Sequence, residues 1–335
     1  MTPLSHHRHH ALDWLKAMAI VAVVVTHSGS GAFPNTPGYT GWDGLFAYGL
    51  SAFHVPCLLM ISGYLYRSAQ PLAWTDVARR LRRILPPYLV ASVVVVVLMP
   101  ERAPTWSAVA VALISADAIP IYYYVFLLVF CVATLPIVSR LSRLTLQILV
   151  GVLITTVAAV CGFPSLVFTI DRFWSMRNPI ESFALGYFLL GWIAAMPSDS
   201  TRRWSDSTRL AAILLAASAW PLCVLAGFPY PLVLLAKIPY AAAVWTVTWR
   251  LLESRPAPAT VRLLSDSSYG VFLYHYLAQE PLRTTLGGWP TGVKMGLLVV
   301  GGLGGALLFG ALLRRMIGND RTREWFGFQA ASESR

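Results

Sequence analysis

The sequence predicts an all-α protein, a polytopic bundle of about ten transmembrane helices with both termini in the cytoplasm. Hydrophobic residues make up 56% of the 335 residues and charged residues only 12%, about half the charge of a soluble globular protein. Apolar windows of about 17–25 residues, the length that spans a bilayer, recur along the whole chain. Lys and Arg are also unevenly distributed between the connecting segments, as membrane topology requires.

These windows give ten candidate spans and leave a short tail at each end. The spans are 12–30, 45–66, 84–99, 121–139, 144–162, 179–196, 209–227, 230–250, 268–286 and 293–313. The expected division is a cytoplasmic N-terminal tail (1–11), a transmembrane domain (12–315) and a cytoplasmic C-terminal tail (316–335). The apolar segment 104–118 is short and contains Asp117, so it is predicted to be interfacial or re-entrant.

Proline and lysine predict an irregular eighth span. Pro231, Lys237 and Pro239 all fall within it. Membrane helices tolerate such breaks when protein or water covers the freed backbone groups. We therefore expect this span to be interrupted.

Loop charge predicts the orientation. With the N-terminus inside, the cytoplasmic segments hold 19 Lys or Arg and the outer segments hold 5, while Lys16 and Lys237 lie within spans. This asymmetry predicts a multi-pass protein of the inner (cytoplasmic) membrane. It also explains the net charge of +11 through topology and anionic lipid, without nucleic acid. The first span mimics a signal peptide, but Asp13 and Lys16 within it predict an uncleaved helix.

The cysteines and the histidine-rich start do not predict a metal site. Cys57, Cys131, Cys161 and Cys223 all fall in apolar spans, where cysteine behaves as a small hydrophobic residue. The run HHRHH at 6–10 is interrupted by an arginine and lacks nearby carboxylates or cysteines. It is expected to be a solvated, unstructured start.

The first span carries the main candidate site. Asp13, Lys16 and His27 fall on or near one face of a helix, with Lys16 and His27 about 16 Å apart along its axis. Ionisable side chains inside apolar spans are costly and by default mark a functional site. A cation near one membrane border and a base deep in the span suggest a long substrate with an anionic head.

The second span adds His54, which precedes Pro56 in the stretch FHVPCLLMISGYLYR. Pro56 is expected to kink this helix, and Gly63 allows a neighbouring helix to approach closely. Taken alone, His54 fits a packing residue and a functional residue equally well. If the second span lies antiparallel beside the first, His54 comes near His27, which favours the functional interpretation.

The stretch 71–88 concentrates positive charge just before the third span. Its arginines are Arg79, Arg80, Arg82 and Arg83. One interpretation is an interfacial amphipathic helix that contacts anionic lipid. The other is an anion site for a phosphorylated cofactor, because arginine binds phosphate oxygens bidentately. Further polar residues at membrane depth are Glu181, Lys237, His275 and Glu280.

Several motifs, in order, resemble the integral-membrane acyltransferase 3 family of the sugar O-acetylase type. They are Asp13-x-Leu15-Lys16 followed by ten residues and His27, Phe53-His54-Val55-Pro56 running to Ser62-Gly63-Tyr64, the basic stretch ending Leu85-Pro86-Pro87-Tyr88, and Ser268-Tyr269-Gly270-Val271 with Tyr274-His275. The similarity spans nearly the whole chain, and ten helices suit the family core.

The resemblance implies transfer of an acyl group, usually acetyl from acetyl-CoA, to a hydroxyl of a cell-surface sugar. His27 matches the family's catalytic histidine. We expect His54 to be catalytic as well. Lys16 matches a position that is often arginine; it keeps the charge but loses the bidentate fork. Lys16 and the four arginines are the expected cofactor contacts. The residues expected to support the substrate or the structure are Asp13, Ser62, Glu181 and His275.

The resemblance also implies the partners, a carbohydrate acceptor and membrane lipids, while self-association into a homo-oligomer stays open. The main competing hypothesis is a transporter or flippase for a glycolipid or polysaccharide unit, since intramembrane His, Glu and Lys also form proton relays. No inverted repeat with paired broken helices supports it. A non-catalytic membrane scaffold is a third alternative, but it leaves the shared face of Asp13, Lys16 and His27 unexplained.

Overall fold

The computed structural model describes most of the chain, and that part is all-helical. The described residues are 9–29, 50–68, 70–99, 105, 107, 109, 110, 113, 118–162, 183–196, 212–219, 222, 230–289 and 291–329. Within these ranges there is no β-strand. The predicted all-α class is therefore confirmed for the described residues.

The described helices are numbered here in chain order. They are α1 (His10–Ser28), α2 (His54–Tyr66, preceded by a 3-10 turn Leu50–Phe53), α3 (Trp74–Leu98), α4 (Tyr123–Ala133, preceded by a 3-10 turn Pro120–Tyr122), α5 (Leu135–Val138), α6 (Arg143–Gly162), α7 (Ala184–Ala194), α8 (Tyr230–Leu252), α9 (Ala259–Thr285), α10 (Thr291–Ile317) and α11 (Asn319–Phe326).

Three of the described helices, α1, α3 and α10, are long and apolar enough to cross a membrane. Shorter apolar helices occur at Ser51–Tyr66, Tyr123–Val138, Arg143–Thr156 and Ala184–Ala194. Together they support a membrane protein. The number of ten spans and the cytoplasmic position of both termini stay predictions.

The basic stretch and the third predicted span form one helix, α3. The sequence placed the start of the third span at residue 84, but α3 begins at Trp74 and runs unbroken through Pro86 and Pro87. Its first turn is capped by Asp76, whose carboxylate accepts a hydrogen bond of 2.9 Å from the backbone N–H of Ala73. Near the prolines, the Tyr269 hydroxyl donates to the Ile84 carbonyl at 2.7 Å. Packing against α9 thus supports a region in which proline weakens the helical ladder.

The expected interruption of the eighth span is wrong, because α8 is continuous from Tyr230 to Leu252 with Pro239 inside it. Proline in a membrane helix can be accommodated by small local adjustments when neighbouring helices pack around it. Here α8 packs against α1, α6 and the turn Leu50–Phe53.

Helix α1 lies at the centre of the bundle, in contact with α2, α8, α9 and α10. Its apolar side chains, among them Leu15, Ile20 and Val24, are fully buried. Helix α2 is antiparallel to α1. The ring of His9 lies 5.8 Å from that of Tyr64 at one end, and the Thr26 and Ser51 hydroxyls are 2.7 Å apart at the other.

Helix α9 is parallel to α1 and is joined to it near both ends. The Ser265 hydroxyl donates to the Asp13 carboxylate at 2.7 Å, and Gln279 donates to the Ser28 hydroxyl at 2.7 Å. Beyond α10, the chain folds back onto α9. Phe328 is fully buried, and its ring stacks on that of Tyr274 with centroids 5.8 Å apart. This contact packs the end of the chain against α9.

Helices α2 and α7 approach closely at Gly63 and Gly191, as expected for Gly63. A Cβ atom at Gly63 would collide with the Phe188 carbonyl, and one at Gly191 would collide with the Met60 carbonyl. Both obstacles are backbone atoms, which cannot move aside as the end of a flexible side chain can.

We expect Gly63→Ala to destabilise the protein by about 1–3 kcal/mol through overpacking. The measurement is the thermal unfolding midpoint in detergent. Gly304→Ala in α10 is the matched control, since a Cβ there meets nothing within 4 Å and alanine favours the helix. Equal midpoints for the two variants would contradict the close packing of α2 on α7.

Candidate active site

Asp13 and Lys16 lie in the first two turns of α1. Asp13 is 5% exposed, and its carboxylate accepts the hydrogen bond from Ser265. This hydrogen bond to a buried carboxylate links α1 to α9. Lys16, one turn further on, is partly exposed. Because α1 is continuous, Lys16 and His27 are about 16 Å apart along the helix axis.

His27 lies in the last turn of α1 and is partly exposed. Its backbone carbonyl accepts a hydrogen bond of 2.6 Å from the Arg283 guanidinium. Its ring lies 5.5 Å from the ring of His275, centroid to centroid, with a tilt of 32° between the planes. The ring of the base predicted from the sequence therefore contacts the ring of a second histidine.

His54 lies near His27, at the start of α2. Its Nδ1 is 2.6 Å from the Ser51 carbonyl, and Ser51 is hydrogen-bonded to Thr26, the neighbour of His27. The 3-10 turn before α2 therefore lies beside the last turn of α1. His54 and His275 both lie close enough to His27 for their charges to act on it.

His275 lies on α9, which is longer than the ninth predicted span. The sequence placed the start of that span at residue 268, whereas the helix begins at Ala259. The polar segment before residue 268 is attached to α1 by the hydrogen bond from Ser265 to Asp13. His275 is about 24 Å from the start of α9, and it is fully buried.

These residues form what we call the histidine cluster: His27, His54 and His275, with Lys237 and Arg283 at its edge. Lys237 lies close enough to His54 for its charge to act on that ring, and Arg283 lies similarly close to His27. Within the described ranges, no three His, Cys, Asp or Glu side chains are arranged to hold a metal ion. The cluster therefore offers bases and cationic donors.

Ser62 is not part of the histidine cluster. It follows His54 by eight residues on α2, about 12 Å along the helix. Its hydroxyl donates to the Leu58 carbonyl at 2.9 Å. In this structure Ser62 supports the packing of α2.

The four arginines lie at the end of the bundle opposite His54. Arg80 donates to the Tyr66 carbonyl at 3.3 Å, and its guanidinium lies 5.1 Å from the centre of the Tyr66 ring. Arg79 is ion-paired with Asp76 at 3.3 Å. Arg82 and Arg83 are exposed. Because Tyr64 contacts His9 at the start of α1, these arginines share their end of the bundle with Lys16.

Glu181 lies outside the described residues. Its expected role in supporting the substrate or the structure stays a prediction.

Three residues of α9 were missed as members of the site: Ser265, Gln279 and Arg283. Arg283 forms an ion pair of 3.5 Å with Glu280 on the same helix, which local spacing allows. The added role of Arg283, a hydrogen bond to the backbone of His27, depends on long-range packing. Polar residues at i, i+4 and i+8 of an apolar helix (His275, Gln279 and Arg283) were the available signal, since they share one face.

Comparison with known proteins supports the resemblance seen in the motifs. A family model described as an acyltransferase domain, of the acyltransferase 3 type, matches residues 9–315. No curated protein and no solved structure matches the chain significantly.

Proposed function

The chain belongs to the acyltransferase 3 family, and from this membership we propose that it transfers an acyl group, acetyl in the first instance, from cytoplasmic acyl-CoA to a sugar hydroxyl. The proposed acceptor is a cell-surface polysaccharide, an exopolysaccharide or a lipid-linked sugar. The proposed location is the inner membrane, with multiple spans. Membership of the family supports the coarser statement that the protein is a membrane acyltransferase.

One observation supports the proposal most directly: the histidine cluster forms where α1, α2 and α9 meet. His27 is partly exposed, whereas His54 and His275 are buried behind it. A side chain that exchanges protons with a substrate must be accessible, and its neighbours must hold it in place.

The chemistry requires a base and a donor for negative charge. His27 takes the proton from the sugar hydroxyl, and the sugar oxygen attacks the thioester carbonyl. The carbonyl oxygen becomes an oxyanion, which is stabilised by a cationic or N–H donor. When the tetrahedral intermediate collapses, the carbon–sulfur bond breaks and the proton on His27 passes to the CoA sulfur. An ester and free CoA are the products.

The cations near the start of α1 suit the other end of acyl-CoA. Lys16, Arg82 and Arg83 share one end of the bundle, and the histidine cluster lies about 16 Å away along α1. This separation is on the scale of the pantetheine arm that joins the nucleotide to the thioester. We propose that the nucleotide binds at the cytoplasmic end and that the arm delivers the thioester into the membrane.

The direct test is acyl transfer by the purified protein in detergent or in vesicles. Labelled acetyl-CoA is supplied with or without extracted polysaccharide, and labelled ester and free CoA are measured. We expect CoA release and transfer to sugar that both depend on the protein. A transporter or flippase would produce neither product. NMR spectra of surface polysaccharide from cells with and without the gene would then identify the ester.

Lys16 gives a prediction about the donor. We expect Lys16→Ala to raise the KM for acetyl-CoA about tenfold, the loss expected for one charge-assisted hydrogen bond. Lys16→Arg should retain most of the wild-type affinity, since the charge is kept. Steady-state kinetics with varied acetyl-CoA measure both variants. An unchanged KM in Lys16→Ala would remove Lys16 from the donor site.

A further inference from the structure

The side chain of His275 is fixed by its own helix. It is fully buried, and its Nδ1 lies 3.0 Å from the Val271 carbonyl and 2.9 Å from the Phe272 carbonyl. A carbonyl oxygen can only accept, so Nδ1 carries the hydrogen and donates it. In the neutral imidazole the other nitrogen, Nε2, is then an acceptor with a lone pair.

That acceptor has no partner among the described residues. A buried polar atom without a hydrogen bond costs about 1–3 kcal/mol and calls for an explanation. The ring that His275 contacts is that of His27, with centroids 5.5 Å apart. A rotation of the His27 side chain, or one bridging water, would connect a ring N–H of His27 to Nε2 of His275.

The backbone beside His27 is already fixed by the same helix. Arg283 donates to the His27 carbonyl, and Gln279 donates to the Ser28 hydroxyl at 2.7 Å and to the Val24 carbonyl at 3.3 Å. The last turn of α1 is thus attached to α9 at three points. What these contacts leave undetermined is the orientation and tautomer of the His27 ring.

We propose that His275 is a positioning residue whose Nε2 accepts a ring N–H from His27, directly or through one water, and thereby keeps the other nitrogen of His27 unprotonated and facing the acceptor hydroxyl. This inference rests on the proposed function of His27 as the base. Catalytic histidines are commonly oriented by an acceptor on their second nitrogen. Here that acceptor is a neutral imidazole, whose own tautomer is set by the carbonyls of Val271 and Phe272.

Two amide substitutions separate this role from a purely structural one. The shorter side chain of His275→Asn places an amide N–H near the position of Nδ1, so it can keep the backbone hydrogen bonds but has nothing at Nε2. The longer side chain of His275→Gln carries its amide oxygen to the position of Nε2, so it can still accept from His27.

We expect His275→Asn to lower kcat by about 100-fold, within the range that proton transfer contributes, with the KM for acyl-CoA unchanged. His275→Gln should keep kcat within about tenfold of wild type. The reverse order, with His275→Asn active and His275→Gln inactive, would show that only the backbone hydrogen bonds matter and would overturn the proposal. Equal, near wild-type activity of both variants would also overturn it.

A measurement on the unmutated protein covers the case in which both variants fail to fold. Nitrogen-15 NMR of histidine-labelled protein in bilayers distinguishes the two neutral tautomers, and His27→Ala assigns the His27 signals by their loss. We expect a single neutral tautomer of His27, and a mixture of both would overturn the proposal. The hypothesis that His27 is the base and the hypothesis that His275 positions it can be rejected separately. An active His27→Ala variant would reject His27 as the base, whereas an inactive one with a fully active His275→Asn would reject only the role of His275.

Discussion

We expect His27→Ala to abolish acyl transfer while the protein still inserts and folds. Removing a general base costs about 10²–10⁴-fold in rate, and the next ionisable residue of α1, Lys16, is about 16 Å away along the helix axis. The side chain is partly exposed, and its hydrogen bond to Arg283 is made by the backbone. The substitution should therefore remove the base while keeping the hydrogen bond from Arg283 that links α1 to α9.

The matched control for this prediction is His10→Ala, which removes a histidine from the opposite end of the same helix. Activity is measured as ester formed from labelled acetyl-CoA, and folding as the elution profile and thermal midpoint in detergent. We expect His10→Ala to keep its activity. Ester formation at the wild-type level in folded His27→Ala would reject His27 as the base and leave the function of the cluster open.

The sequence predicted the first helix well because its signal is local. An apolar window, a charged residue at its start and a histidine at its end suffice to define α1 and to place Lys16 and His27 on one face. The opening motif carried enough information to indicate the family, which the match over residues 9–315 confirms. Local patterns of this kind can be recognised in the sequence alone, because helix periodicity and bilayer thickness constrain each segment independently.

The contribution of α9 could not be predicted in the same way. Its first turns contain Ser265 and Asp266, which favour a loop when the segment is read alone. The buried hydrogen bond from Ser265 to Asp13, which are 252 residues apart in sequence, and the packing of Val261 with Ala17 support the helix in this segment. The helix therefore begins nine residues before the predicted span. Boundaries set by tertiary hydrogen bonds are the least accessible to pattern analysis.

The prolines show the same limit of pattern analysis, since here local chemistry predicts boundaries that the helices do not have. Pro86, Pro87 and Pro239 each predict a break or a boundary from local chemistry, yet α3 and α8 pass through them. Neighbouring helices supply packing and hydrogen bonds that an isolated segment lacks, such as the bond from Tyr269 to the Ile84 carbonyl. In a bundle of membrane helices, a proline is therefore weaker evidence for a boundary than in a soluble protein.

We expect His54→Ala to lower kcat by about 100-fold, or about 2.7 kcal/mol in transition-state free energy, with little change in the KM for acetyl-CoA. The Nδ1–H of His54 donates to the Ser51 carbonyl at 2.6 Å, so in the neutral imidazole its Nε2 is an acceptor with a lone pair. We propose that this nitrogen orients the acceptor hydroxyl beside His27. An effect on kcat alone indicates an interaction made in the transition state.

His54→Asn is the control that separates this role from packing. Its amide can replace the hydrogen bond to the Ser51 carbonyl, but it has no group at the position of Nε2. If His54 acts on the substrate, His54→Asn should be nearly as slow as His54→Ala while regaining thermal stability. If His54 only holds the turn before α2, His54→Asn should be as active as wild type. Steady-state kinetics beside thermal midpoints decide between the two, and a fast His54→Asn would leave His27 as the principal base with no catalytic partner on α2.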